Sequence, residues 1–410
     1  MRATFRYILH YHVDVECLSP LRTGGVERNT EIILRNHAGV PILQGTSLAG
    51  SLRTWKDDPE LWGNPENEGQ LIVSDLTFEK TKTITRPRIK LNQKTGVVQN
   101  KYDMAALPTG TQGHFELVWR GTVNPEAAKT KIEEYLSALH NGAISLGAQK
   151  TNGFGLVSLK VSLAEYDLKD AKDLKDWLEE TKKPTPICLK QAHTSYILFT
   201  VHAETSGLLV KAGHESGYGD GSLKGVQIRN KNTAIIPGSS LKGVMRAHLE
   251  RITPYFCAEA LIDQYFGRGA TREIDGISGK IRFSDGKFQK NSVAAVRKRI
   301  RISRLSGGVF GKTLFSEQTM QGHVSWEIRV PEGHPQICAL LLFALRDLYL
   351  GLYNIGSGFA VGRGQFLKMD VAIRTPSGKS RMECRESGIE MKDPDGIVAA
   401  WQSALGGIQL

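Results

Sequence analysis

Alternation of apolar and polar positions, with β-branched and aromatic residues on the apolar ones, predicts strands over Arg6–Glu16 and Tyr196–Glu204. Each is followed by a Gly-rich loop, a short strand, and a Gly-x-Ser-Leu turn that opens a helix, over Leu48–Lys56 and Leu241–Ile252. At these helix starts Thr46, Ser47, Ser239 and Ser240 are natural N-cap residues, because a hydroxyl accepts from a first-turn N–H. A long basic excursion then leads to strands over Phe115–Trp119 and Val324–Val330. Amphipathic helices follow at Pro125–Asn141 and Pro335–Leu350, then a Gly-rich hairpin and a last strand. This order, met twice, predicts an α+β protein of two tandem ferredoxin-like (RRM-like) domains, each carrying a basic hairpin insertion.

The repeat is visible in the residues themselves. Leu34-Arg35-Asn36 and Gly45-Thr-Ser-Leu-Ala-Gly-Ser-Leu-Arg53 recur as Ile228-Arg229-Asn230 and Gly238-Ser-Ser-Leu-Lys-Gly-Val-Met-Arg246. Ser74-Asp75 recurs as Ser284-Asp285, Gly113-His114 as Gly322-His323, and Gly153-Phe-Gly155 as Gly362-Arg-Gly364. The offset rises from about 193 to about 210 between the first helix and the Ser-Asp element, which places an insertion at Thr253–Ser278. A charged stretch ending in Lys182-Lys183-Pro184-Thr185-Pro186 reads as a linker. Domains are therefore expected at 1–185 and 186–376. Residues 377–410 have no counterpart, and a helix is expected there over Asp393–Leu405.

Charge adds a partner to this picture. Lys and Arg number 53 against 42 Asp and Glu, a net charge of +11. Seven basic residues and no acidic one lie between Lys80 and Tyr102, and eight and none between Gly286 and Ser316. The excess is thus gathered at equivalent places in both copies, and it points to a polyanion. Arg86, Arg88 and Lys90, and likewise Arg297, Arg299 and Arg301, alternate before a Gly turn, so each excursion reads as a hairpin with one cationic face. The apolar tips Val97-Val98 and Val309-Phe310 suit wedging between bases. Five widely spaced cysteines exclude a zinc ribbon and argue against a disulfide framework. Neither a signal peptide nor a membrane span is expected, and the cytoplasm is the expected location.

The Gly-x-Ser-Leu-x-Gly-x-x-Arg turn offers backbone N–H groups, hydroxyls and an Arg to a phosphate, without the spacing of a Walker loop. Together with Gly24-Gly25, Ile236-Pro237 and Gly356-Ser-Gly-Phe-Ala-Val-Gly-Arg-Gly364, it resembles the RAMP proteins of CRISPR systems, most of all the backbone subunits of type III effector complexes. The resemblance covers about residues 6–160 and 196–368. It implies a fusion of two such subunits that binds guide RNA (crRNA), positions a complementary target RNA and works beside other subunits, away from any membrane. It implies guide contacts at Ser47, Arg53, Ser240, Lys242, Arg246, Gly362, Arg363 and Gly364, with the hairpins, carrying Arg86, Arg88, Lys90, Arg297, Arg299 and Arg301, as thumbs.

Single backbone subunits of that family carry a cleaving Asp about five residues before an Arg-Asp pair. Here those positions are Thr30 and Lys224, and the pair reads Arg-Asn in both copies. The nearby acids are the catalytic candidates: Asp220, Glu31 and Glu27. Each would accept a proton from a 2′-hydroxyl or hold Mg2+, and no structural cofactor is expected. The alternative is a stand-alone RAMP endoribonuclease that processes guide precursors, for which His10, His12, His37, His193, His202 and His214 are general acid or base candidates. A small-molecule binder is disfavoured by the paired basic arms.

Overall fold

The computed structural model describes residues 5–24, 26–27, 30–91, 98–190, 196–211, 223–270, 274–310 and 315–406, with backbone alone at 26–27, 30–31, 90–91, 223–224 and 315. It divides into two compact units. The first comprises Met1–Arg88, Tyr102–Lys150 and Phe154–Thr194; the second comprises Ile89–Lys101, Thr151–Gly153 and Ser195–Leu410.

In the first unit the strand Tyr7–Cys17 is central, antiparallel to Val157–Asp167 on one side and to Gln112–Gly121 on the other. Leu76–Phe78 pairs with the far side of Gln112–Gly121, giving the ferredoxin-like order fourth, first, third, second. Period-two alternation sends Leu9, Tyr11, Val13 and Val15 into the core and His10, His12, Asp14 and Glu16 to the opposite face. The core face is covered by the helices Gly45–Trp55 and Glu126–His140, through Leu48, Leu52, Ile132 and Leu136 among others.

The second unit repeats this order with Phe366–Thr375, Tyr196–Leu208, Phe315–Pro331 and Gly286–Phe288, and with the helices Gly238–Ile252 and Pro335–Tyr349. Beyond residue 376, the hairpin of Gly378–Arg385 and Gly388–Lys392 extends the sheet edge. The helix Ile397–Ala404 then returns onto the core, where Trp401 lies 5.8 Å from the Phe199 ring. Asp393 anchors that helix by accepting from the N–H groups of Ile397, Val398 and Ala399.

Two details depart from the sequence reading. Thr46, Ser47, Ser239 and Ser240 do not cap their helices: the chain enters from Gln44 and Pro237, and a distant carboxylate does the work. Asp75 Oδ1 accepts from Gly45 N at 2.7 Å, and Asp285 Oδ1 accepts from Gly238 N at 2.9 Å. An anion satisfies the positive helix end better than a neutral hydroxyl does.

The expected insertion is also not a single block. Gly63 and Gly267 both take positive φ, 78° and 85°, after short helices, and a Cβ on either would strike the N of Gly69 or Gly279 at 2.6 Å. These pairs are structural equivalents, so the helix Ala260–Phe266 matches Pro59–Trp62. The extra residues fall on either side of it. Part of the excess extends the helix Gly238–Ile252, which has 15 residues against 11 in Gly45–Trp55.

Because Trp401 is 6% exposed and closes the second core, Trp401→Ala is expected to lower the unfolding free energy by about 3 kcal/mol, measurable by urea denaturation.

Candidate nucleic-acid interface

The Ser-Asp element organises each helix start in the same way. Ser74 Oγ accepts from Glu116 N at 2.8 Å and Ser284 Oγ from Glu327 N at 2.8 Å, which fixes each element to the third strand of its sheet. The neighbouring Asp can then reach the helix. Gly45 and Gly238 are demanded by contact, since a Cβ would lie 2.5 Å from Val73 O and 2.4 Å from Phe283 O. Leu48 and Leu241 are fully buried, anchoring the first turn from below. The Arg-Asn pairs close their own turns: Arg35 Nη1 donates to Gly39 O and Arg229 Nη1 to Asn232 O.

In the first unit this construction borders a groove of about 230 Å³ lined by Thr23, Gly24, Leu43, Ser47, Ser51, Gly147 and Ala148. Ser47 is exposed on its rim, and Lys150 Nζ donates to Ser51 Oγ at 3.0 Å. The groove thus joins the Gly-rich loop, the helix start and the last glycine hairpin, with hydroxyls as its polar side chains and the Lys150 ammonium next to it on Ser51. Arg53, one helical turn further on, is exposed and paired with Asp57 at 2.8 Å. Gly50 and Gly243 lie inside their helices with open space where a side chain would stand.

In the second unit the cations are more engaged. Lys242 Nζ donates to Thr151 Oγ1 at 2.9 Å. Arg246 donates to Glu250 and Asp263 and to the carbonyl of Gly267, so it ties its helix to the segment that follows. Ser240 is half-buried at the helix start. Gly362 has open space beside it, and Gly364 N donates to Gly207 O.

Both basic excursions contain paired strands among the described residues. Ile84–Leu91 and Val98–Ala106 form a separate two-stranded sheet, and Val293–Arg299 pairs with the start of Phe315–Pro331, from Val293 opposite Gln321 to Arg299 opposite Phe315. Their cations divide. In the first, Arg86 is buried and Arg88 donates to Gln149, next to a small cluster of Met104, Ala106 and Phe154; the Lys90 side chain lies outside the described residues. In the second, Arg297, Lys298, Arg301 and Arg304 are exposed beside the exposed Ile302, Leu305 and Phe310, with the Arg301 guanidinium over the Phe310 ring.

Arg299 and Arg363 instead converge on Glu317, a carboxylate 2% exposed, at 2.5 and 2.6 Å, with Lys211 at 3.0 Å. Burial works to raise the Glu317 carboxyl, and the hydrogen bonds from Lys211 and Arg363, with Arg299 beside them, outweigh it and bring it to about 2. The cluster joins the Gly-rich loop, the hairpin and the glycine hairpin of the second copy. In the first copy Met104 takes the corresponding place, three residues before the partner of Leu21 as Glu317 is three before that of Leu208, and Arg22 Nη1 reaches its sulfur at 3.7 Å.

Of the catalytic candidates, Asp220 lies outside the described residues. Glu27 and Glu31 stand on the small ribbon Val26–Glu27 and Thr30–Glu31, and their side chains lie outside the described residues. His193 and His214 lie outside them too. His10 and His12 sit on the sheet face opposite the helices and do not line the groove; His37 and His202 are exposed.

The sequence reading missed the capping carboxylates and Glu317. The repeated Ser-Asp element was the signal for the first, whereas Glu317 has no acidic equivalent in the other copy to draw attention to it.

Since the Glu317 carboxyl is held below its ordinary value of 4.5, its stabilisation is present above that pH and is lost as pH falls toward 2. Glu317→Gln is expected to cost about 3 kcal/mol at pH 7 and almost nothing near pH 2, read by denaturant unfolding at both values. Equal costs at the two values would show that the charge cluster is not what holds these loops.

Among the described residues, no helix is long and apolar enough to cross a membrane. No curated protein matches the chain. The sequence model of the RAMP superfamily matches residues 14–158 and 205–367, one stretch in each copy of the repeat. Members of that superfamily have CRISPR-related roles, bind RNA and work in complexes. With the ferredoxin-like order found twice, and a match extending over most of its length, the chain belongs to the RAMP superfamily.

Proposed function

We propose that this chain is a guide-RNA-binding backbone subunit of a type III-like CRISPR effector complex, with its two domains on successive stretches of one guide and a complementary target RNA held alongside. The observation that carries this reading is the second glycine of the repeated motif. Gly50 and Gly243 sit in helix interiors, where glycine costs roughly 0.5–1 kcal/mol relative to alanine, and no neighbouring atom requires either to lack a side chain. A cost borne twice, at equivalent places beside open space, is explained by a ligand backbone that approaches the helix closely.

The groove at Ser47 and Ser51 supplies the exposed Ser47 hydroxyl, with the Lys150 charge held beside it on Ser51, in the first copy. A ribose-phosphate chain has the matching chemistry. In the second hairpin the exposed Arg297, Lys298, Arg301 and Arg304 suit phosphates, while Ile302, Leu305 and Phe310 at its tip suit unstacked bases. We assign both hairpins as thumbs on this basis. For target cleavage we propose the carboxylates of Asp220, Glu31 and Glu27 with Mg2+, each near an Arg-Asn pair in sequence.

Gly50→Ala and Gly243→Ala are each expected to raise stability by about 0.5–1 kcal/mol while together weakening RNA binding at least tenfold, measured by thermal unfolding and filter binding. Binding should also fall steeply with salt and depend little on guide sequence. Unchanged affinity in the double variant would remove these helices from the interface. In the assembled complex, Asp220→Ala is expected to abolish one target cut and leave guide binding intact. Cutting undiminished in the Asp220→Ala, Glu31→Ala, Glu27→Ala triple variant would assign hydrolysis to another subunit.

A further inference from the structure

The histidines at the start of the chain are not absorbed by the RNA interface. Period-two geometry puts His10, His12 and Asp14 on the outer face of Tyr7–Cys17, and His114 and Glu116 on the same face of the neighbouring Gln112–Gly121. The register is direct: His12 stands opposite Glu116 and Asp14 opposite His114, with His10 on the diagonal. Cross-strand neighbours on one face have Cβ atoms about 5 Å apart, so three imidazoles and a carboxylate are forced together. Among the described residues, the ligand atoms of His10, His12 and Glu116 lie within 4.8 Å of one another, and His114 joins them through Glu116.

We propose that His10, His12 and Glu116 form a binding site for a divalent transition metal of the zinc type, clamping the first strand of the sheet to the third on the face opposite the helices Gly45–Trp55 and Glu126–His140. Three observations carry it. First, the donor separations fit. His10 Nε2 and His12 Nδ1 lie 3.2 and 3.5 Å from the Glu116 oxygens, close to the edges of about 3.3–3.4 Å in a tetrahedron of bonds about 2.0–2.1 Å long.

Second, an outer partner of the metal-binding carboxylate is already in place. His114 spans from Glu116 Oε1, 3.5 Å from its Nε2, to Asp14 Oδ1, 3.2 Å from its Nδ1, and holds the carboxylate beside the two imidazoles. Trp177 packs edge-on against His10 at 5.8 Å and limits its freedom. Third, the donor set is selective. Imidazole with one carboxylate suits zinc and its neighbours and disfavours the all-oxygen ions Mg2+ and Ca2+.

The three donors bridge two strands of one sheet and do not line the groove, so the metal's role is structural. This is independent of RNA binding, and it departs from the expectation of no structural cofactor.

The test uses the full chain, stripped with chelator and then given Zn2+ or Co2+ alone. One equivalent of zinc is expected to survive gel filtration and raise the unfolding temperature by several degrees. Cobalt is expected to give the intense visible absorption of a tetrahedral site. The His12→Ala, His114→Ala variant should match the wild type in circular dichroism and unfolding temperature when both are metal-free, yet retain no zinc. Glu116→Gln should bind it at least tenfold more weakly, and Cys188→Ser, Cys257→Ser should bind it like the wild type. Failure of the wild type to retain zinc, retention undiminished in the double-histidine variant, or loss in the cysteine variant would overturn the proposal.

Discussion

One hydrogen bond geometry, used twice, sets the rest of the molecule: a carboxylate from the sheet edge on the first N–H of the first helix. Asp75 to Gly45 and Asp285 to Gly238 join elements 30 and 47 residues apart in sequence. For that bond to form, the helix must approach the sheet edge so closely that only a hydrogen fits at its first position, which is why the motif begins with glycine. The same approach buries Leu48 and Leu241 and turns the helix surface that bears Ser47 or Ser240 and the second glycine away from the core. The carboxylate also partly neutralises the helix dipole, so the helix end is not by itself a strong phosphate site. Anion binding there falls to hydroxyls, the remaining N–H groups and nearby cations.

The two copies share this backbone device and differ in the side chains that surround it. In the first, Met104 and Phe154 make an apolar joint behind the hairpin, and the helix start opens on a groove. In the second, Glu317 replaces the apolar joint with a buried ionic one that gathers Lys211, Arg299 and Arg363. A buried charge cluster of this kind is costly to desolvate and is retained only if its geometry is closely satisfied, so it fixes loop positions more strictly than an apolar contact does. The second excursion, braced by Arg299 at the outer end of its paired strand, can therefore carry the exposed Ile302, Leu305 and Phe310 with Arg301 and Arg304 beyond that brace.

Much of this was legible in the sequence because it is periodic or repeated. Strand alternation located the central strands, helical spacing located both long helices, and the collinear repeat gave two domains of one fold. What was not legible depends on contacts between residues far apart in sequence. Hydroxyls at a helix start look like caps until a remote Asp is seen in the position. Alternating arginines look like one cationic face until Arg86 is found buried, Arg88 on Gln149 and Arg299 on Glu317. The block from Thr253 to Ser278 looked like one insertion because no residue identity marks Ala260–Phe266 as the equivalent of Pro59–Trp62; only the glycines that end both helices do.

The outer face of the first sheet follows the same logic in a place where the repeat is silent. His10 and His12 have no counterparts in register, and in sequence they are 102 or more residues from their partners His114 and Glu116. Nothing in their spacing distinguishes them from solvated strand residues. Antiparallel register alone brings Asp14 to His114 and His12 to Glu116, on the face opposite the two long helices, where Trp177 of the helix Ala171–Glu179 packs against His10. A strand pair so lightly covered gains less from packing, so its stability depends more on cross-strand side-chain pairs. Three imidazoles around one carboxylate are a weak version of such pairing, because one carboxylate serves three partners at once and all of them are partly open to water. The same geometry becomes strongly stabilising when a single dication takes the place of several shared protons.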